Sequence, residues 1–423
     1  MFKYFFSCKE IINNNIKSYG NKNSVLPILI SCLLYKNNFI FFNFCFIDDV
    51  KSIFKIFSYL GIKVLLIKNI AYIFKNFIKK EILYFYYVEK IRVSTFLISI
   101  LLKKYKCIGI MFPGGCNLNK RLIDLHLFFF NLNFVKFDFF KNKLNCYFYY
   151  KIFKSFVVKF KKYSVGATQN FLIFSTFLKG VSIAKNISTE PETIELCKFL
   201  CFLGNRIIGK ESKSVKIIGN FNIKNNLIKF FFSSDRIESF TKLSFFLKKI
   251  KFCFFLNYSS NNFYSFIFSF ISNNFIIKIF KKENFFFIFF IFNNNFTIMN
   301  SVFDIFPSLS TDFQPIISSI CIFSLNNVFI SDNIFLNRHS YLKELFNNGV
   351  DYLKFKNFLI IKGIRKTENN KFKSLDLRSA AALLISFFSI KGISCVLDFS
   401  FLNRGYSNIY NNIKKTFFKI YKL

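Results

Sequence analysis

The stretch Pro113-Gly114-Gly115-Cys116 sets a thiol directly after a Gly-Gly turn. Such a turn is expected to leave the Cys116 sulfur exposed, and cations nearby would lower its pKa and activate it. Arginine is scarce beside lysine in this chain, so the places where it stands are informative. Its planar fork clamps carboxylates and phosphates in two-point fashion, where lysine offers only a point charge. The two histidines, His126 and His339, leave few members for a metal site or a His-based triad, and there is no CxxC. Cys197 and Cys201, four apart, read as one apolar face of a helix. One decoy falls away at once. Gly204 to Lys210 matches most of a phosphate-binding GxxxxGK, but Glu211 follows where magnesium binding needs Ser or Thr. The segment also follows a helix, so it reads as a helix-ending turn.

The scaffold that must position these groups is repetitive. Asp48 or Asp49 can cap a helix whose Val50, Ile53, Phe54, Phe57 and Leu60 share a face. Gly61 follows at the left-handed terminating position, and residues 62–67 resume as a strand. Pro191 opens a second clear case, with Ile194, Cys197, Leu200 and Cys201 on one face and Gly204 closing the helix. Weaker copies end at Asn133, Asn274, Gly349 and Phe417. The six positions 61, 133, 204, 274, 349 and 417 are separated by 72, 71, 70, 75 and 68 residues. Asn tolerates positive φ, so only Phe417 fails to fit. Six α/β units of this length predict a pair of domains, each with three units packed around buried helices.

A chain of 423 residues has room for two or three domains with real cores. Its composition holds 70 Phe and no Trp, and the abundant Phe, Lys, Asn and Ile share A/T-rich codons. We read this as mutational drift, which the base composition of the coding DNA tests. The net charge of +38 is spread singly and in pairs such as Lys79-Lys80 and Lys281-Lys282. With no basic tail and no zinc-finger, homeodomain or RRM signature, nucleic acid is not an expected partner. The apolar runs 285–292 and 379–390 are shorter than the roughly 20 residues of a spanning helix. The N-terminus lacks an apolar export signal. The expectation is a soluble cytoplasmic protein without a membrane partner, most of whose 11 Cys are small core residues in a reducing compartment.

Nine further segments, in order, resemble those of the UDP-N-acetylglucosamine enolpyruvyl transferase family. Residues 20–29, GNKNSVLPIL, look like GAKNAALPIL, and Ile91-Arg92-Val93-Ser94 is similar to MRAS. Pro113 to Cys116 and then Arg121-Leu122-Ile123-Asp124-Leu125-His126 resemble PGGC followed by RPVDLH, and residues 164–168 are an intact SVGAT. Asp235-Arg236-Ile237-Glu238 resembles PDRIE, Thr311 to Gln314 resembles PTDMQ, and Ile334 to Arg338 looks like IFENR. Asp376 to Ala380 resembles DLRAS, and residues 403–406 resemble DRGY. The resemblance runs from Gly20 to the C-terminus.

It implies an α/β (α+β) fold of two similar inside-out α/β barrel (β-prism) domains, each of three repeated units with helices inside. The bounds expected are 22–235 for the domain with the Cys loop, and 1–21 with 236–423 for the second, the active site lying in the cleft between them. The implied reaction joins a sugar hydroxyl to C2 of phosphoenolpyruvate, then loses phosphate, and needs no metal or other cofactor. Lys22, Asn23, Arg121 and Arg404 are implied to hold phosphoenolpyruvate. Arg92, Arg121, Leu122, Ile123, Asp124, Leu125, Lys162, Tyr163, Ser164, Val165, Gly166 and Ile334 are implied to hold the UDP-sugar, with Arg236, Glu238, Arg338 and Arg378 in support. Cys116 is the implied proton donor to C3, and Asp312 the general base for the sugar hydroxyl. The chain departs from the family pattern at Leu122, Leu336, Asn403 and Phe240, where Pro, Glu, Asp and Gly are usual. The protein is expected to act as a monomer. Three rivals stand beside this reading: a transferase acting on shikimate 3-phosphate, a catalytically decayed homologue, and a basic nucleic-acid-binding protein.

Overall fold

Two kinds of helix alternate along the chain, and burial separates them. Among the described residues six inner helices are wrapped on nearly every side: α1 (Lys22–Ser31), α2 (Phe96–Lys104), α3 (Val165–Ser175), α4 (Arg236–Ser244), α5 (Gln314–Ile320) and α6 (Leu377–Phe387). In α3 every side chain from Ala167 to Ser175 is buried, and in α4 every one from Ile237 to Ser244. A helix without a wet face must satisfy its polar side chains internally. Here Thr168, Thr241, Ser244, Ser318 and Ser319 each donate to the carbonyl four residues back in their own helix. The other kind, at Asp48–Tyr59, Asp124–Asn131, Pro191–Phe202 and Ser340–Asn347, leaves some of its side chains in water.

In this computed structural model the described residues are 3–8, 16–74, 78, 80–114, 123–148, 154–219, 226–245, 251–257, 275–282, 285–292, 298, 300–324, 326–334, 339–347, 349–356, 358–364, 371–374, 376–387, 394–397, 399–407, 409 and 418–422. Among them are six separate four-stranded sheets of one topology. The sheet Ile82–Leu83, Cys107–Met111, Lys143–Phe148, Val135–Phe140 is typical. Its first two strands are parallel and the others antiparallel, and the same pattern holds in the remaining five. The second strands begin at Asn38, Cys107, Val181, Lys251, Val328 and Ser394, so the unit recurs every 66 to 77 residues. Parallel pairing needs a crossover, and in four of the sheets an inner helix supplies it.

The chain forms two compact units, Gly20–Phe232 and Met1–Tyr19 with Ser233–Leu423. In each unit three inner helices touch one another, α1 with α2 and α3, and α4 with α5 and α6, inside three sheets. The fold is therefore inside-out, with separate sheets rather than a closed barrel. Leu227–Phe231 returns to pair with Asn38–Phe42. Ile16–Ser18 joins Lys251–Asn257, and Lys3–Cys8 inserts between Ser394–Leu397 and Phe418–Lys422. The junctions differ from the expected bounds by a few residues for a local reason. Asn21 accepts from the N–H of Asn23 at the start of α1, and Asp235 caps α4, so each stays with the helix it caps.

Several local expectations need correction. Gly61, Gly204 and Gly349 do end helices at φ of 84°, 85° and 84°. In the second unit, however, Phe134 rather than Asn133 takes positive φ, at 59°. Asn274 and Phe417 lie outside the described residues. Neither Asp48 nor Asp49 is the cap of its helix. Both fall inside the first turn after Ile47, where their charge suits the helix dipole. On Pro191–Phe202 the buried side includes Leu196, Cys197, Phe199 and Leu200, while Ile194 and Cys201 are half-exposed. The run Phe285–Phe292 is a strand. No helix among the described residues is long and apolar enough to cross a membrane.

Candidate active site

The residues singled out by the motifs collect at the starts of the inner helices. In the unit 20–232, Lys22 is the first residue of α1 and its Nζ lies 2.6 Å from Asp49 Oδ2. Asn21, just before it, donates from Nδ2 to Glu192 Oε1 at 2.7 Å in a buried contact. The Asn23 carbonyl accepts from Gln169 Nε2 of α3 at 3.2 Å, which ties the two helix starts together. Ser164 caps α3 by accepting from the N–H of Ala167 at 3.2 Å. Val165 and Gly166 thus form a first turn whose N–H groups are free of in-helix partners, an arrangement suited to an anion. Tyr163 donates to Ser188 Oγ at 3.0 Å, and burial followed by the charge of Glu190 pushes its phenol up to about 12. Lys162 beside it is exposed.

Arg92 opens the 3-10 turn Arg92–Thr95 that leads into α2 and is half-buried. Its charge reaches His126, which is buried against the start of α3. The His126 ring lies 3.3 Å from where a Cβ on Gly166 would sit. Asn170 donates from Nδ2 to its Nδ1 at 3.2 Å, and Ser99 donates to Asn170 Oδ1 at 2.7 Å. Burial first, and then Arg92, hold His126 down at about 3, so the ring is neutral. With Nδ1 accepting, the proton sits on Nε2. Ile123, Asp124 and Leu125 precede it, and Asp124 is the exposed first residue of its helix. These contacts bring Asn23, Arg92, Ser164 to Gly166 and the 123–126 turn to one end of the inner helices. Gly114, two residues before Cys116, lies so close to the Glu89 carbonyl oxygen that a Cβ would collide with it, so only glycine fits. Cys116, Arg121 and Leu122 lie outside the described residues.

The other unit repeats the plan with different groups. Asp376 accepts from the N–H of Arg378 at 2.8 Å and of Ser379 at 3.1 Å, starting α6. Arg378 then reaches Asp312 Oδ2 with Nη2 at 3.1 Å and the Tyr406 hydroxyl with Nη1 at 3.2 Å. Asp312 sits in the 3-10 turn Thr311–Phe313 that leads into α5. Burial opposes the charge on Arg378, but Asp312, Tyr406 and Asp235 outweigh it and hold the guanidinium firmly protonated. Arg236, first in α4, lies 5.9 Å from the Phe306 ring and 5.6 Å from the Phe313 ring. Glu238 is buried with Lys242 as its ion-pair partner, and burial outweighs that cation enough to push its carboxyl up to about 7. Phe240, where glycine was usual, is fully buried and meets Phe313 edge-on at 5.4 Å. Arg404 ends the 3-10 turn Phe399–Arg404 and is half-buried. Ile334 is exposed past the strand Val328–Asp332, its N–H on Asp332. Arg338 lies outside the described residues. No group of three or more potential metal ligands occurs among the described residues.

Asp49, His126, Thr241 and Tyr406 take part in the polar contacts of the two units, although none of them was among the expected site residues. Three carried a sequence signal: Asp49 at a helix start, and His126 and Tyr406 as the last residues of the segments 121–126 and 403–406.

Against known proteins, the family model described as EPSP synthase (3-phosphoshikimate 1-carboxyvinyltransferase) matches residues 9–246. The UDP-N-acetylglucosamine 1-carboxyvinyltransferase of Buchnera aphidicola is 28% identical over 435 residues, covering 99% of this chain and 100% of its own. Those of Endomicrobium trichonymphae and Carboxydothermus hydrogenoformans are 27% and 26% identical, covering 94% and 97% of this chain and 93% and 95% of theirs. In structure, the enolpyruvyl transferase NikO of Streptomyces tendae superposes with a TM-score of 0.86 at 14% identity, over 100% of this chain and 98% of that one. EPSP synthase of Acinetobacter baumannii gives 0.74 at 11% identity, with complete coverage of both. At these identities the two structures speak for the fold alone.

Proposed function

The chain belongs to the EPSP synthase family, and from that premise we propose that it transfers the enolpyruvyl group of phosphoenolpyruvate to the 3-hydroxyl of UDP-N-acetylglucosamine, releasing phosphate. The observation that carries the reading is the end-to-end match to transferases named for that acceptor. In this reading Asp312 takes the proton of the sugar hydroxyl as its oxygen bonds to C2, while Cys116 adds a proton at C3. The tetrahedral intermediate then loses a C3 proton and expels phosphate, leaving the enol ether. Lys22, Arg121 and Arg404 neutralise phosphoenolpyruvate, with Asn23 beside it. Arg92 and the first turn of α3, from Ser164 to Gly166 with Lys162 and Tyr163, take the diphosphate. Residues 121–125 line the uridine, with Ile334 opposite, and Arg236, Glu238, Arg338 and Arg378 hold these groups in place. The chemistry requires no metal or redox cofactor.

The reading makes the chain a cytoplasmic, monomeric enzyme of the first committed step of peptidoglycan synthesis, on which cell shape and division would depend. Phosphate release from phosphoenolpyruvate tests it, measured with UDP-N-acetylglucosamine, with shikimate 3-phosphate and with neither. Release that needs the UDP-sugar, and falls by about 10²-fold or more in Cys116→Ala, is the expected result. Release with shikimate 3-phosphate instead would transfer the assignment to that acceptor, and no release with either acceptor from soluble, folded protein would remove it.

A further inference from the structure

Four side chains in the unit 1–19 with 233–423 form a chain of hydrogen bonds whose proton positions chemistry dictates. Arg378 has no acceptor, so it donates through Nη1 to the Tyr406 oxygen at 3.2 Å and through Nη2 to Asp312 at 3.1 Å. The Tyr406 proton must therefore point elsewhere, and its other neighbour is Thr241 Oγ1 at 3.1 Å. Thr241 gives its own proton to the Ile237 carbonyl at 2.8 Å, which leaves its oxygen free to accept. Burial keeps the Tyr406 hydroxyl protonated, its pKa raised above the ordinary phenol value. The ring also lies under the guanidinium, 5.8 Å from Arg378 Cζ. At the other end, the Asp376 cap fixes the Arg378 backbone.

We propose that Tyr406 is a positioning residue for Asp312, acting through Arg378. The guanidinium is planar, so pinning Nη1 on Tyr406 sets the plane in which Nη2 meets the carboxylate. Of the pair, Asp312 is the more exposed, at 24% against 9% for Arg378, as befits a base that must reach a substrate. Tyr406 touches no substrate in this scheme. It fixes which Asp312 oxygen Arg378 holds, and with it the orientation in which the carboxylate meets the sugar hydroxyl. The inference rests on Asp312 serving as that base.

Tyr406→Phe keeps the ring and removes only the hydroxyl, and Thr241→Val breaks the chain at its far end without touching Arg378. A misplaced general base lowers turnover more than binding. Tyr406→Phe is expected to lower kcat by about tenfold and Thr241→Val by about threefold, with both KM values held within about twofold. In an Arg378→Lys background Tyr406→Phe is expected to cost nothing further, since the two act in series. A crystal structure of Tyr406→Phe is expected to show Arg378 Nη2 drawn off Asp312. Wild-type kcat in both single variants, or an unchanged Arg378–Asp312 contact in that crystal structure, overturns the proposal. A wild-type protein that turns over neither acceptor overturns the enolpyruvyl reading instead, and the crystal structure alone then decides whether Tyr406 places Asp312.

Discussion

The two units solve one problem with opposite charges. In 20–232 the residue implied to meet a substrate is a cation, Lys22, and a carboxylate, Asp49, holds it. In the other unit it is a carboxylate, Asp312, and a cation, Arg378, holds it. In each pair that residue is the more exposed member, 16% against 10% for Lys22 and Asp49, and 24% against 9% for Asp312 and Arg378. The more buried partner acts as holder and the more exposed one is left to meet a ligand. The holders differ in cost of loss, because Arg378 on an inner helix donates both to Asp312 and to the buried Tyr406 hydroxyl, whereas Asp49 on an outer helix holds Lys22. Losing Arg378 takes a partner from a buried hydroxyl as well as from a carboxylate, which adds to the cost.

That contrast can be broken experimentally. Asp312→Asn carries the largest expected effect, a loss of about 10³-fold in phosphate release with the protein still folded, because the amide cannot take a proton. Arg378→Met comes next. It leaves Asp312 and Tyr406 without their shared donor and is expected to lower urea stability by about 3 kcal/mol. A third test uses the buried titrating groups, which pull in opposite directions. Glu238, held at about 7 against 4.5 when exposed, binds its proton more tightly in the folded state, so its contribution to stability falls as pH rises from 4.5 to 7. His126, held at about 3 against 6.5, must not be charged, so its contribution is lost as pH falls from 6.5 toward 3. Urea melts across pH are expected to show each slope, up to about 1.4 kcal/mol per pH unit, flattened separately in Glu238→Gln and in His126→Gln. Unflattened slopes would place the titration elsewhere. The smallest effect belongs to Asp49→Asn, which is expected to cost about 1 kcal/mol or less of stability and to raise the KM for phosphoenolpyruvate a few-fold by removing the ion pair that orients Lys22.

The repeat was legible because its signals are local. An amphipathic helix, a left-handed residue and a strand can be read within some twenty residues, and Gly61 and Gly204 stand where that pattern puts them. Errors arose where burial, not spacing, decides. Ile194 and Cys201 fit an apolar face by periodicity, yet the helix buries Leu196 and turns Phe199 onto Phe39, Phe41 and Phe230 of the neighbouring strands. Phe134 takes the left-handed position one residue beyond Asn133, a choice local propensity does not favour. The inner helices were the harder part to place: α3 buries polar side chains along nearly its whole length and presents no amphipathic stripe to read.

By itself, the amino-acid order determined the period of the units, the motif residues at the helix starts and, through those motifs, the family. These depend on neighbours a few positions apart. The tertiary structure alone decided which charge meets which. Asp312 and Arg378 are 66 residues apart, Thr241 and Tyr406 165, and Asn21 and Glu192 171. Such pairs form only after helices from separate repeats pack together, and their partners, protonation and exposure follow from that packing.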